Sequence, residues 1–331
     1  MKTPGLFALP FLLLPTLAAA DVLSSLNPYL GNSDPDYNPQ DLQAREVDSG
    51  RNFAPASPGD SDLGVQEILG EYKGLPPIRA QLSTDFLWTD NAPSAARQLD
   101  EPSFLWVGRA SASWQPRLGA GIFADLGMEA QIFRFDQSNA TDFENYVVYA
   151  GAVKMLPDLD DLLIFGRFEY QFLNFDQAAV PFVTPANSDD YSAARVRIGA
   201  QKVLLNTPRQ HLSAGLSAAF DLTADPSALE RNEYALDLHY TLLILDKLSA
   251  TLSYRAAIWD FRSDTGVVGF YTETRRDFNQ VVGLELSYEP CKNYRIYTSV
   301  FFSDSDSNTP FGANDSKAWT AGLGVGATFE F

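Results

Sequence analysis

The chain has 331 residues, a formal charge of -18, 45% hydrophobic and 13% aromatic residues, and a single cysteine, Cys291. Abundant aromatics exclude a disordered chain, and aperiodic glycine with a lone cysteine excludes a collagen or a disulfide scaffold; a pI near 4.4 speaks against nucleic acid, whose phosphates are bound by clustered Lys and Arg. Length allows about two ordinary domains, and with no long apolar run after the amino terminus, hydropathy alone describes an exported soluble protein.

Residues 1–20 read as a cleaved secretory signal. Lys2 supplies the positive end, Leu6 to Leu17 the apolar stretch, and Ala18-Ala19-Ala20 the small residues before Asp21. A membrane anchor is the competing reading, but the run is broken by Pro10 and Pro15 and falls short of the roughly 20 apolar residues that span a bilayer. Residues 21–76 carry ten acidic against three basic side chains, with many Pro, Ser, Asn and Gly, and read as an acidic, mostly irregular arm. Val65 to Tyr72 could form a short helix within it. The arm either hangs free or folds back as a plug.

From residue 77 the pattern changes to period two, the signature of half-buried strands. Strands are expected near 78 to 89, 103 to 115, 120 to 135, 144 to 155, 162 to 175, 191 to 204, 211 to 224, 233 to 245, 248 to 262, 277 to 288, 294 to 304 and 318 to 331. Five connections are short and carry turn chemistry: Gln115-Pro116-Arg117, 157 to 161, Asn206-Thr207-Pro208, Asp246-Lys247 and 290 to 293. The six that alternate with them, around 90 to 102, 136 to 143, 176 to 190, 225 to 232, 263 to 276 and 305 to 317, are mostly longer and polar. In the last strand, Trp319, Ala321, Leu323, Val325, Ala327, Phe329 and Phe331 make one wholly apolar face against Thr320, Gly322, Gly324, Gly326, Thr328 and Glu330.

That terminal segment resembles the carboxy-terminal signal of Gram-negative outer-membrane β-barrels, a porin-like superfamily, on Phe331, Phe329, Val325 and Leu323. The resemblance implies an all-β, transmembrane, antiparallel up-and-down β-barrel of 12 strands over 77–331, folded by the barrel assembly machinery. It also implies outer-membrane lipid and lipopolysaccharide around the barrel, short turns and both chain ends in the periplasm, and long connections outside.

Ile78 must then pair with Phe331, because an open sheet in hydrocarbon leaves two unpaired edges. Ile122, Ala124, Leu126, Met128, Ala130 and Ile132, and likewise Leu236, Leu238, Tyr240, Leu242 and Ile244, face lipid. Asp125, Glu129 and Gln131, or Arg195, Arg197 and Gln201, face inward, since Arg or Lys on the lipid face near the midplane costs roughly 2 to 4 kcal/mol. The strand containing Tyr146 to Met155 alternates poorly and is oriented by placing Lys154 inward. Trp88, Trp106, Trp114, Tyr170, Tyr254, Tyr288 and Tyr294 fit interfacial girdles or ordinary strand propensity.

Three classes of function remain. A channel for small polar solutes or ions would use a lining of Arg79, Arg109, Arg167, Arg195, Arg197, Arg255 and Arg295 opposed to Asp85, Asp125, Glu129, Glu169, Asp237, Glu285 and Glu330, with His239 nearby. A closed structural or surface-interaction barrel would use the same charges as a neutralising network. A lipid hydrolase would need a base beside a hydroxyl. His211 and Ser213 resemble the His-x-Ser pair of outer-membrane phospholipase A, but that family continues with Asn-Gly where this chain has Ala214-Gly215; His239 with Asp237, and Ser217 across the hairpin, is a second candidate. Asp304, Asp306, Asn308 and Asp315 have a calcium-loop spacing, but Thr309 stands where glycine is needed, and a solvated acidic loop is the reading taken. Asn139-Ala140-Thr141 is a glycosylation sequon only in a host that uses such sites. No cofactor, metal site or catalytic residue is assigned.

Overall fold

The computed structural model describes residues 78–91, 102–136, 142–159, 162–175, 190–225, 227–262, 274–308 and 315–331. The expected signal, the acidic arm with its short helix, and the Asn139-Ala140-Thr141 sequon lie outside the described residues.

Twelve long strands follow one another: β1 (Ile78–Thr89), β2 (Ser103–Trp114), β4 (Ile122–Phe135), β5 (Phe143–Leu156), β6 (Leu162–Phe175), β7 (Asp190–Asn206), β8 (Gln210–Asp225), β9 (Arg231–Leu245), β10 (Leu248–Phe261), β11 (Arg276–Cys291), β12 (Tyr294–Ser307) and β13 (Ser316–Glu330). The three-residue β3 (Arg117–Gly119) continues the ladder of β2 along β4. Each long strand pairs antiparallel with the long strands before and after it, and β1 pairs with both β2 and β13, so the sheet closes into a barrel. At the seam the Phe331 amide donates to the Ile78 carbonyl at 3.0 Å, and the Ile78 amide to the Phe331 carbonyl at 3.3 Å. The expected pairing of first and last strands is met, and no sheet edge is left open.

Short connections gather at one end, called the turn end, together with Ile78 and Phe331. The strand ends that lead into the longer connections are at the opposite end, called the loop end. Departures from the expected strand bounds have local causes. β4 starts at Ile122 because Gly119, Ala120 and Gly121 all take positive φ, of 121°, 48° and 71°, and form the turn itself. β11 runs on to Cys291 because a register shift between Tyr288 and Cys291 absorbs Pro290, which has no amide to give to a ladder.

Odd-numbered residues face inward along the long strands from β1 to β12, and even-numbered ones along β13. Outward, Phe86, Phe104, Met128, Leu216, Leu252, Leu284, Leu323 and Val325 form an exposed apolar belt. Both lipid-facing sets read from the sequence lie on this face. Lys154 does not lie inward. Its cross-strand partners are the outward Ile122 and Ile164, and it is exposed. It sits two residues from the turn end of β5, where a long aliphatic stem can carry the ammonium to the membrane boundary. Tyr254 also departs from a girdle: it stands mid-strand on the outer face and donates to Gln280 Oε1 at 3.2 Å, satisfying a glutamine that faces the same way.

Inside, the side chains form layers. At the loop end Leu105, Val107, Phe133, Phe135, Phe143, Leu173, Tyr191, Trp259 and Phe261 pack into one buried apolar cluster, to which Leu229 adds from the β8–β9 connection. Phe133 and Phe143 stack at 4.1 Å between ring centroids. A charged layer lies below. At the turn end a smaller apolar wedge of Phe123, Val153, Met155 and Leu163 fills the β4–β6 side, and a cavity occupies the side of β8 to β13 and β1.

Candidate functional site

The charged layer is built from neighbours in register. Arg167 pairs with Glu169, two residues along the same face of β6. Glu169 Oε1 also accepts from Arg197 Nε at 3.0 Å. Arg197 Nη1 donates to Glu233 Oε1 at 3.2 Å, Arg255 Nη2 to the same oxygen at 2.8 Å, and Arg255 Nη1 to Asp237 Oδ1 at 2.9 Å. The step from β7 to β9 passes over β8 at Ala219, the cross-strand partner of both Arg197 and Glu233, whose methyl leaves the way clear. Arg195 Nε lies 3.2 Å from Asp221 Oδ1. Most of these groups are buried, where an ion pair holds only if each charge keeps its partners.

Across the barrel, Asp85 on β1 is held by Arg109 on β2 and by Tyr297 on β12, whose hydroxyl donates to Oδ1 at 2.6 Å. Near the loop end Arg275 Nη2 lies 2.5 Å from Asp277 Oδ2, and Ser307 Oγ donates to Asp277 Oδ1 at 2.6 Å.

Strand parity puts all fifteen expected lining residues on the inward face. The register brings together Arg167, Glu169 and Arg197; Arg255 and Asp237; Arg109 and Asp85; Arg295 and Glu285 at 3.4 Å; and Arg79 and Glu330 at 4.0 Å. Asp125 accepts from Gln115 at 3.1 Å, and Glu129 lies on the same face of β4. His239 faces Ser213 in the register. The charges are not opposed rows: basic and acidic side chains interleave along one ladder. Glu233, Asp221, Asp277 and Tyr297 were missed in the sequence, although the odd parity of their strands was the signal that could have found them.

The cavity holds about 680 Å³ and is bordered by Arg79, Arg109, Arg255, Arg295, Asp85, Asp237 and Glu285, with His211 and His239. Hydroxyls of Ser213, Thr241, Thr251 and Ser253 fill in between, and Thr241 and Thr251 hydrogen-bond at 3.1 Å. The expected neighbour of His239 is Ser217, but Ser217 pairs with Ala235, four residues along β9. No hydrogen bond joins His211 or His239 to a hydroxyl among the described residues. Asp304 is taken up by Lys317 at 3.3 Å, and Asp315 caps the Ser307 amide at 2.9 Å; residues 309–314 of the calcium-like spacing lie outside the described residues.

No known family matches the chain, and no curated protein matches it. Among solved structures, an outer membrane channel from Pseudomonas putida F1 superposes with a TM-score of 0.50 at 11% identity, over 77% of this chain and 96% of that one. The fold is the closed antiparallel β-barrel that this channel also has. The DcaP channel of Acinetobacter baumannii gives a TM-score of 0.42 at 11% identity, covering 76% of this chain and 96% of that chain. The KdgM porin, in complex with disordered oligogalacturonate, gives 0.39 at 12% identity, covering 76% and 99%. In this barrel Leu323 and Val325 are exposed on the outward face of β13, and Phe331 follows it, also exposed.

Proposed function

We propose that the protein is an outer-membrane channel for small polar solutes, reached from the periplasm through the polar cavity and narrowed on the outer side by an aromatic layer. The observation that carries this reading is the cavity of about 680 Å³ inside a closed barrel, bordered by arginines, carboxylates and hydroxyls in place of the packed apolar side chains that fill the opposite wall. Short turns are periplasmic in such barrels, so the cavity opens to the periplasm and the apolar cluster stands beneath the cell surface. A hydrophobic constriction gates by dewetting, which gives that layer a role in a conducting protein. On the same reading residues 1–20 are removed on export, residues 21–76 form a periplasmic arm or plug, the apolar belt meets lipid and lipopolysaccharide, and Leu323, Val325, Phe329 and Phe331 are read by the assembly machinery.

A second reading, a closed barrel with a structural or surface role, is favoured by the continuity of the apolar cluster from β1 to β10. Swelling of proteoliposomes in iso-osmotic glycine or arabinose separates the two. Swelling faster than in protein-free liposomes supports the channel. No swelling with either solute, from protein whose gel mobility shows a folded barrel, supports the closed form.

A further inference from the structure

Six arginines are buried in the barrel: Arg167, Arg195, Arg197, Arg231, Arg255 and Arg275. Five are matched. Arg167 and Arg197 share Glu169, Arg195 takes Asp221, Arg255 takes Glu233 and Asp237, and Arg275 takes Asp277. Arg231, at the loop end of β9, enters none of the ion pairs among the described residues. Its backbone amide donates to Asp221 Oδ2 at 3.0 Å, but its side chain, in a residue only 5% exposed, leaves Nε and Nη1 without a hydrogen-bond acceptor. The guanidinium carbon lies 3.8 Å from the centroid of the Trp259 ring and 5.9 Å from that of Phe261. Ring faces attract a cation but leave the in-plane N–H groups unsatisfied.

Other unsatisfied polar groups stand beside it on the same wall. Trp259 Nε1, both amide atoms of Asn279 and Ser305 Oγ make no hydrogen bond, and all three residues are buried. The register makes them neighbours. Asn279 is the cross-strand partner of Ser305 on β12 and of Ala257 on β10, and Trp259 is the next inward residue after Ala257. Ala235 pairs with Ala257, so short methyl side chains hold the wall back just below Arg231 and Trp259. Buried polar groups in folded proteins almost always have partners, and a cluster of four residues without them is a place for water, an ion or a ligand to supply the missing atoms.

We infer that Arg231, Trp259, Asn279 and Ser305 form a binding site for a small organic monocarboxylate in the outer half of the barrel. The unsatisfied groups are mostly donors: two guanidinium nitrogens, the indole N–H, the amide NH2 and a hydroxyl. They call for an acceptor-rich anion, and one unmatched guanidinium balances one negative charge. Beyond these donors the surroundings are the apolar side chains of Leu229, Trp259 and Phe261, which suit an anion with a carbon body over inorganic phosphate. The inference rests on the channel reading in that the ligand is a solute passing the constriction.

The test is calorimetric titration of the purified full-length protein in detergent with benzoate, gluconate and inorganic phosphate, beside Arg231→Gln, Arg231→Lys, Trp259→Phe and, as control, the exposed turn variant Lys292→Gln. One carboxylate or both should bind wild type and the control alike. Arg231→Gln should weaken that binding about tenfold or more, with Arg231→Lys between, because a charge-assisted bond to a planar donor is lost or blunted. Trp259→Phe keeps a ring and loses the N–H, so it should weaken binding about severalfold; it carries the test if Arg231→Gln fails to give a folded barrel on a heat-shift gel. The site is overturned if no carboxylate binds, if the variants bind as tightly as wild type, or if phosphate is preferred. Bilayer recordings on the same preparation keep the two ideas apart. Conduction without carboxylate binding overturns the site alone, whereas carboxylate binding by a protein that never conducts supports the site and overturns the channel.

Discussion

The Tyr297 hydroxyl on β12 donates to Asp85 Oδ1 on β1 at 2.6 Å, across the whole width of β13. The bond is made over glycine. Gly324 is the cross-strand partner of both Tyr297 and Asp85, and a Cβ placed there would overlap the tyrosine ring. The smooth stripe of Gly322, Gly324 and Gly326 therefore lets one side chain reach from the penultimate strand to the first, tying the seam where the barrel closes.

Tyr297→Phe removes that donor and leaves Asp85 with Arg109. The folded barrel should lose about 1 to 3 kcal/mol, the cost of leaving a buried acceptor short of a partner. Urea unfolding followed by tryptophan fluorescence measures it. Gly324→Ala should cost at least as much, since the added methyl displaces the ring that carries the hydroxyl; an unchanged midpoint in both variants would contradict the seam's dependence on this bond.

Glu233 joins Arg197 to Arg255, so Glu233→Gln leaves two buried guanidinium groups short of charge. Breaking a buried pair from one side costs about 3 to 5 kcal/mol. The same change removes one negative charge from the barrel interior, and the reversal potential in a salt gradient should move toward anion selectivity. A shift toward cations would refute the interleaved ladder as the source of the interior field.

Phe133 and Phe143 stack inside the loop end. The double variant Phe133→Ala/Phe143→Ala should widen the constriction and raise single-channel conductance while lowering stability, each truncation costing about 3 to 5 kcal/mol where the space does not collapse. Equal conductance in a folded double variant would mean that another layer limits flow.

Most of the frame was legible from alternation, because a closed barrel writes its two environments into the chain at period two. β13 shows this without interruption, and Ile78 opposite Phe331 follows from closure. The strand of Tyr146 to Met155 alternates too poorly to orient itself, and the rule that charge faces inward misplaces Lys154 because it weakens near the membrane boundary, where a lysine stem reaches water. The ends of β4 and β11 were displaced by a left-handed turn at Gly119 to Gly121 and by a bulge at Pro290, neither of which disturbs the alternation. The pairing of charges could not be read. Parity says that Arg197, Arg231 and Glu233 share a face, but which arginine takes Glu233 depends on the stagger of β7 against β9 and on the small Ala219 between them. The surplus of Arg231 is a property of that stagger, not of composition.

The measurement that bears most directly on the whole account is single-channel current across a planar bilayer, with protein-free detergent as the blank. Discrete steps that require the protein, and that grow when Phe133 and Phe143 are truncated, are the predicted result. Silence at high protein load, from both the wild-type barrel and the truncated one, would contradict it.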